Sequence, residues 1–135
     1  MSIEVRYFSR GGNTKRLADA IAAAVGTTAR TTETPMEGRA DTLFLGASVY
    51  AGGPDKQVVT FIRQNARDIG RIVVFSTSAS GKSTFARIKA VAADCGVEVA
   101  DAFFHCPGAW TILHRGRPNA EDCERAAAFA RAQIG

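Results

Sequence analysis

The sequence predicts an α/β fold, a three-layer sandwich in which one parallel sheet is covered by helices on both faces. Three observations predict it. Five apolar or β-branched runs alternate with four stretches of helical periodicity along the 135 residues. The connections between them are short, as in a sheet wound by strand–helix units. Two of the runs, Thr42–Ala47 (TLFLGA) and Arg71–Ser76 (RIVVFS), are almost continuously apolar, as central parallel strands buried on both faces require.

The first strand, Ile3–Ser9, runs into a polar, glycine-rich turn and then a helix, Lys15–Val25. Leu17, Ala20, Ile21, Ala24 and Val25 follow the spacing of one buried face, Asp19 falls off it, and Gly26 is a natural stop. The second strand, Thr28–Thr34, is β-branched but polar, which suits a sheet edge. Only Pro35–Asp41 separates it from the third strand, Thr42–Ala47. That length is too short for a full crossover helix, so one turn or an extended excursion is expected there. The second helix spans Pro54–Ala66, with Val58, Phe61 and Ile62 on its buried face. The fourth strand, Arg71–Ser76, is followed by a helix over Ser83–Asp94 with Phe85, Ile88 and Ala92 inward. The fifth strand, Val97–Phe104, precedes a last helix, Asn119–Ile134, with Ala126, Phe129 and Ala130 inward. Gly53-Pro54 and Pro118-Asn119 are good helix starts. With no repeat, linker or low-complexity segment, residues 1–135 are expected to form one domain.

Composition narrows the function classes. Apolar residues make up 46% of the chain, enough for a substantial core. Eight Phe, two Tyr and one Trp can build a stacking site without by themselves indicating one. The formal charge of +4 is spread along the chain with no basic run, which signals nucleic-acid binding only weakly and favours acidic partners or anionic ligands. Cys95, Cys106 and Cys123 show no paired spacing, so neither a disulfide framework nor a zinc site is expected. They read as small packing residues, Cys106 near a loop at the sheet edge. Glu4, Arg6 and Arg10 interrupt any secretory signal, and no run of 18 apolar residues is present. A cytoplasmic location, with no membrane contact, is the expectation.

In an open parallel sheet, ligands sit beyond the carboxyl ends of the strands, so the loops there carry the function. The first is Ser9-Arg10-Gly11-Gly12-Asn13-Thr14. A strand that passes through such a turn into a helix gathers backbone N–H groups at the positive end of the helix dipole, and the site it makes takes phosphate. Gly11 and Gly12 let the backbone approach closely or adopt positive φ. Thr14 can give its hydroxyl to an anion or cap the first turn, and Ser9 can do the same from the strand end. The loop after the third strand is Ser48-Val49-Tyr50-Ala51-Gly52-Gly53-Pro54, and that after the fourth is Ser76-Thr77-Ser78-Ala79-Ser80-Gly81. The last runs from Cys106 to Pro118 and carries Trp110 and His114.

These loops resemble those of the flavodoxin family. Ser9, Gly12, Asn13 and Thr14 match its Ser/Thr-x-Thr-Gly-x-Thr phosphate loop, Arg10 fits the variable position, and Gly11 departs where a hydroxyl residue is usual. The Gly-Ala-Ser-Val-Tyr segment and the ending FHCPGAW…GRPN are similar to small members of the family. The resemblance implies strand order 2-1-3-4-5 and bound FMN. Ser9, Arg10, Gly11, Gly12, Asn13 and Thr14 would hold the phosphate. Ser48 lies at the start of the next loop, where Val49, Tyr50 and Ala51 would border the isoalloxazine ring. A carbonyl near Gly52 would accept from flavin N5–H. Thr77, Ser78, Ala79 and Gly81 would border the other side of the ring or its pyrimidine edge. Tyr50 is placed to stack on the ring, a contact worth roughly 0.5–1.5 kcal/mol beyond burial.

An electron-transfer flavoprotein serving redox partners, acidic ones in view of the basic charge, is therefore the leading expectation. A small FMN-dependent reductase of a quinone or other organic acceptor is the alternative, as is a flavin-free binding module on the same fold. Ser80-Gly81-Lys82-Ser83 lacks the glycine that a nucleoside-triphosphate loop needs five residues earlier, where Ser76 stands, so Lys82 reads as a helix-start charge. His105 and His114 have no carboxylate or nucleophile at a catalytic spacing. No catalytic side chain and no metal site are expected, the chemistry belonging to the cofactor.

Overall fold

The computed structural model describes residues 2–8, 12–48, 54–78, 83–107 and 116–134. Strands β1 (Ile3–Phe8), β2 (Ala29–Thr31), β3 (Ala40–Ser48), β4 (Ile69–Ser78), β5 (Glu98–Val99) and β6 (Phe104–Pro107) alternate with helices α1 (Asn13–Val25), α2 (Lys56–Asn65), α3 (Phe85–Asp94) and α4 (Ala120–Ile134). A 3-10 turn at Ala66–Asp68 prolongs α2. The sheet is parallel throughout, in the order β2-β1-β3-β4-β5, with β6 also paired to β4. This is the expected three-layer architecture and strand order.

The expected fifth strand, Val97–Phe104, is broken into two, which makes six strands rather than five. Glu98 and Val99 pair with Arg71 and Ile72, the chain then leaves the sheet, and Phe104–Pro107 rejoins β4 beside Phe75–Ser78. The excursion packs against α3. Phe103 stacks on Phe85 with ring centroids 4.5 Å apart, and Asp101 pairs with Lys89. An edge strand bonded on one side only gives up a few ladder bonds for such contacts. β2 is likewise shorter than expected, three residues in place of seven.

Two cores flank the sheet. Leu43, Leu45, Ala47, Ile72 and Val74 face α2 and α3, meeting Val58, Phe61, Ile62, Ile88, Val91 and Ala92. Val5, Tyr7, Phe44, Val73, Phe75 and Cys106 face α1 and α4. Gly46 is required in β3 because a Cβ there would lie 2.1 Å from the ring of its β4 neighbour Phe75. The buried stripe of α1 is Thr14, Leu17, Ala18, Ile21 and Ala22. It is turned from the expected one and begins at a polar residue.

Strand order places β1 between β2 and β3, so their connection must pass over β1. Right-handed crossovers put it on the face opposite α1. Among the described residues no helix lies in that connection, and Arg6 of β1 fills the place. Its side chain is completely buried. Its Nη1 donates to the carbonyls of Thr31 and Thr34, and its Nη2 to that of Pro35 at 3.3 Å. Its Nε donates to Glu4 Oε2 at 3.1 Å, and the guanidinium lies 5.6 Å from the centre of the Phe61 ring. The planar fork satisfies carbonyls that a crossover helix would have satisfied internally. Met36 completes the plug, its N–H donating to the Asn65 side chain at 3.2 Å.

The last helix begins with a reciprocal cap. Asn119 Oδ1 accepts from the Asp122 N–H, and Asp122 Oδ2 accepts from the Asn119 N–H, both at 2.9 Å. Arg117 and Arg125 also donate to the buried Asp122 carboxylate. The Arg117 hydrogen bonds, followed by those of Asn119 and Arg125, outweigh burial and hold this carboxyl well below the usual carboxylate range.

Two outcomes follow from these buried charges. Arg6→Met strands three carbonyls and Glu4, and should lower the unfolding free energy by about 3 kcal/mol or more in urea titration; a loss under about 1 kcal/mol would contradict the role given to Arg6. Asp122 is depressed only in the folded state, so its contribution is present above the ordinary carboxyl value near 3.8 and is lost as pH falls below it. Urea midpoints should therefore fall more steeply from about pH 5 to pH 2 in the wild-type chain than in Asp122→Asn, which starts less stable at pH 7. Parallel profiles would contradict this.

Candidate functional site

β1, β3, β4 and β6 all end at one edge of the sheet, and the four glycine- and hydroxyl-bearing loops leave from it. Of the expected site residues, Gly12, Asn13, Thr14, Ser48, Thr77 and the backbone of Ser78 are described. Ser9, Arg10, Gly11, Val49, Tyr50, Ala51, Gly52, Ala79 and Gly81 lie outside the described residues, as do Lys82, Trp110 and His114.

Helix α1 starts one residue after Gly12, which adopts φ 83°, ψ −2°. An L-residue is strained in that left-handed region, so the turn selects glycine. The first turn of the helix holds no acidic residue. Lys15 and Arg16 stand in it instead, Lys15 bonded to Asp19 one turn on at 2.7 Å and Arg16 reaching the Pro118 carbonyl at 3.4 Å. The positive end of the dipole is thus left uncancelled by any carboxylate in that turn.

Thr14 does not cap this turn. It lies on the buried stripe of α1, fully enclosed, and its hydroxyl points into the protein. There Thr14 Oγ1 stands 2.8 Å from Ser48 Oγ and 3.0 Å from Thr77 Oγ1, and the last two are 3.1 Å apart. Ser48 and Thr77 are register partners at the C-terminal ends of β3 and β4. Three hydroxyls from three elements therefore form a closed triangle directly behind the start of α1. Each hydroxyl has one proton to donate, so three protons serve three bonds. The Thr77 side chain is thereby engaged with Thr14 and Ser48 rather than with the space over the strand ends. Chemically the triangle offers hydroxyl donors that can swivel; among the described residues no base is hydrogen-bonded to it that would make a nucleophile of any of them.

On the opposite face of β4, Ser76 Oγ lies 2.7 Å from His105 Nδ1. Burial lowers the His105 pKa, so the ring is neutral near pH 7, and its Nε2 has no hydrogen-bond partner among the described residues. Cys106 is buried in β6, and burial, helped by Asp122, pushes its thiol up to about 12, leaving it unreactive. The three cysteines are unpaired, and no group of metal-ligating side chains occurs among the described residues. No helix among them is long and apolar enough to cross a membrane.

Sequence reasoning singled out each member of the triangle but not their union. The signal was present: Thr14 lies at i−3 from Leu17 and so belongs to the buried face, and Ser48 and Thr77 both end apolar strands. The part played by Arg6 had no comparable signal, since an arginine in an N-terminal strand reads as exposed.

The model of the flavodoxin domain matches residues 5–103. Among solved structures, a flavodoxin from the domain Archaea superposes with a TM-score of 0.79 at 16% identity, covering 96% of this chain and 94% of that one. Oxidised Flavodoxin 1 from Bacillus cereus gives 0.75 at 17% identity, over 99% of this chain and 97% of that. A flavoprotein in complex with FMN from Lactobacillus acidophilus NCFM gives 0.62 at 16% identity, over 78% of this chain and 92% of that. At these identities the likeness is one of fold. No curated protein matches the chain. The matched span covers most of the sheet and three of its four helices, and the chain belongs to the flavodoxin domain family.

Proposed function

We propose that this protein binds FMN and carries single electrons between redox proteins. The observation that carries the reading is the junction at the start of α1: a left-handed Gly12, a first turn without carboxylates, and the swivelling hydroxyls of Thr14 and Ser48 immediately behind it. A helix N-terminus presents about half a positive charge and several N–H donors, which suits a phosphate dianion. Residues 9–14 and Ser48 would hold that phosphate. Val49, Tyr50, Ala51 and Gly52 on one side, and Ser78, Ala79 and Gly81 on the other, would enclose the ring. Thr77 would act from behind, through Thr14 and Ser48.

Bound FMN supplies one-electron chemistry that no side chain here provides. The protein's own contribution is to grip the phosphate, orient the ring and exclude water from part of it. The net charge of +4 favours an acidic redox partner. A reductase would in addition oxidise NAD(P)H with purified protein, and a flavin-free module would bind no flavin.

Titration with FMN should quench flavin fluorescence, and stepwise reduction followed by visible spectroscopy should report a protein-bound flavin. A chain that stays colourless and leaves FMN fluorescence unchanged would refute the proposal. Gly12→Val forces a β-branched residue into the left-handed region, which costs about 1–2 kcal/mol and displaces the amides. FMN should bind about tenfold or more weakly to it, while riboflavin, which lacks phosphate, should bind as before. Unchanged FMN affinity would remove the phosphate from the start of α1.

A further inference from the structure

We propose that Thr77 is a positioning residue that keeps the two anion-binding hydroxyls satisfied while the site is empty, and in doing so limits its affinity for phosphate. The inference rests on the phosphate site proposed above and concerns a residue that need not touch the ligand. Separations of 2.8, 3.0 and 3.1 Å close a ring in which each hydroxyl donates once and accepts once. A phosphate dianion only accepts, so any hydroxyl that binds it must turn its proton outward. Ser48, 8% exposed, is the most open of the three, while Thr77 at 1% and Thr14 at 0% are both enclosed; Thr14 differs from Thr77 in standing in the first turn of α1, where the phosphate is proposed to sit. Thr14 and Ser48 are thus the donors placed to turn.

When both turn, one proton remains within the triangle, that of Thr77, and it donates to one of the other two oxygens. Three internal bonds become one, and two charge-assisted bonds to phosphate replace the two lost. Valine at position 77 changes this count unequally. The empty protein keeps only the bond between Thr14 and Ser48, loses two, and leaves one buried hydroxyl proton without a partner. The loaded protein loses one bond. Removing the Thr77 hydroxyl therefore destabilises the empty form more than the loaded form, and affinity rises as stability falls. A hydroxyl that merely supported the fold would lower both together.

The test uses the full chain, with Tm measured in the absence of ligand and affinities for FMN, riboflavin and inorganic phosphate measured in parallel. Thr77→Val should lower the ligand-free Tm by about 5 °C and tighten FMN and inorganic phosphate about two- to tenfold. Riboflavin affinity should not change. Thr77→Ser, which restores the hydroxyl, should return both quantities to wild-type values. Thr14→Val should lower Tm and weaken FMN, the opposite sign of affinity. Thr77→Ala carries the same expectation as Thr77→Val if the valine variant does not accumulate. Joint loss of stability and FMN affinity in Thr77→Val, or in Thr77→Ala where it replaces it, or an unchanged Tm, would overturn the role of Thr77 and leave the FMN reading standing. A wild-type chain that binds neither FMN nor phosphate would overturn both.

Discussion

The arrangement depends on one meeting point. The start of α1 is bonded, through a single buried side chain, to the ends of the two central strands. Thr14 sits on the same stripe as Leu17, Ala18, Ile21 and Ala22, so packing α1 on the sheet necessarily drives its hydroxyl inward. A lone buried hydroxyl costs about 1–3 kcal/mol. Ser48 and Thr77, adjacent across β3 and β4, remove that cost. The same contact fixes where the helix dipole ends relative to the loops that leave both strands. Burial and site geometry are here two consequences of one triangle.

The rest of the molecule brings the strand ends to that point and holds them there. Gly46 lets Phe75 lie across β3, so β3 and β4 stay in register up to Ser48 and Thr77. Arg6 takes the place of a missing crossover helix and closes the face opposite α1 with carbonyl hydrogen bonds. At the other edge, Asp122 and Asn119 anchor the start of α4, and Pro118, just before it, meets Arg16 in the first turn of α1. The end of the last loop is thereby set beside the same helix start. Charges buried in these roles are fully paired, the condition under which buried ions are tolerated.

How much of this was legible in the sequence varied with the physical signal. The central strands and the buried faces of α2 and α3 were clear, because continuous apolar runs and helical spacing report burial directly. The short connection before β3 was visible from length alone, but its filler was not, since nothing in IEVRYF separates a buried arginine from an exposed one. Val97–Phe104 reads as one strand from its ends, but Ala100-Asp101-Ala102 in its middle are poor strand formers, and the chain leaves the sheet there with Phe103 stacked on Phe85. At the candidate site, the turn before α1 stood out because Gly12 and the hydroxyls around it form a local pattern. The direction of the Thr14 side chain was not recognised, because its polarity hid it from the apolar stripe it completes.

The central claim is that the start of α1 stabilises a fully ionised phosphate. Phosphorus-31 NMR of the FMN-loaded chain across pH 8 to 5 tests it most directly. A free phosphate monoester takes up its second proton near pH ~6. Held against helix amides and two hydroxyl donors, the bound group should remain dianionic, with a resonance that does not move over this range. A bound resonance that titrates as free FMN does would place the phosphate in solvent and contradict the site.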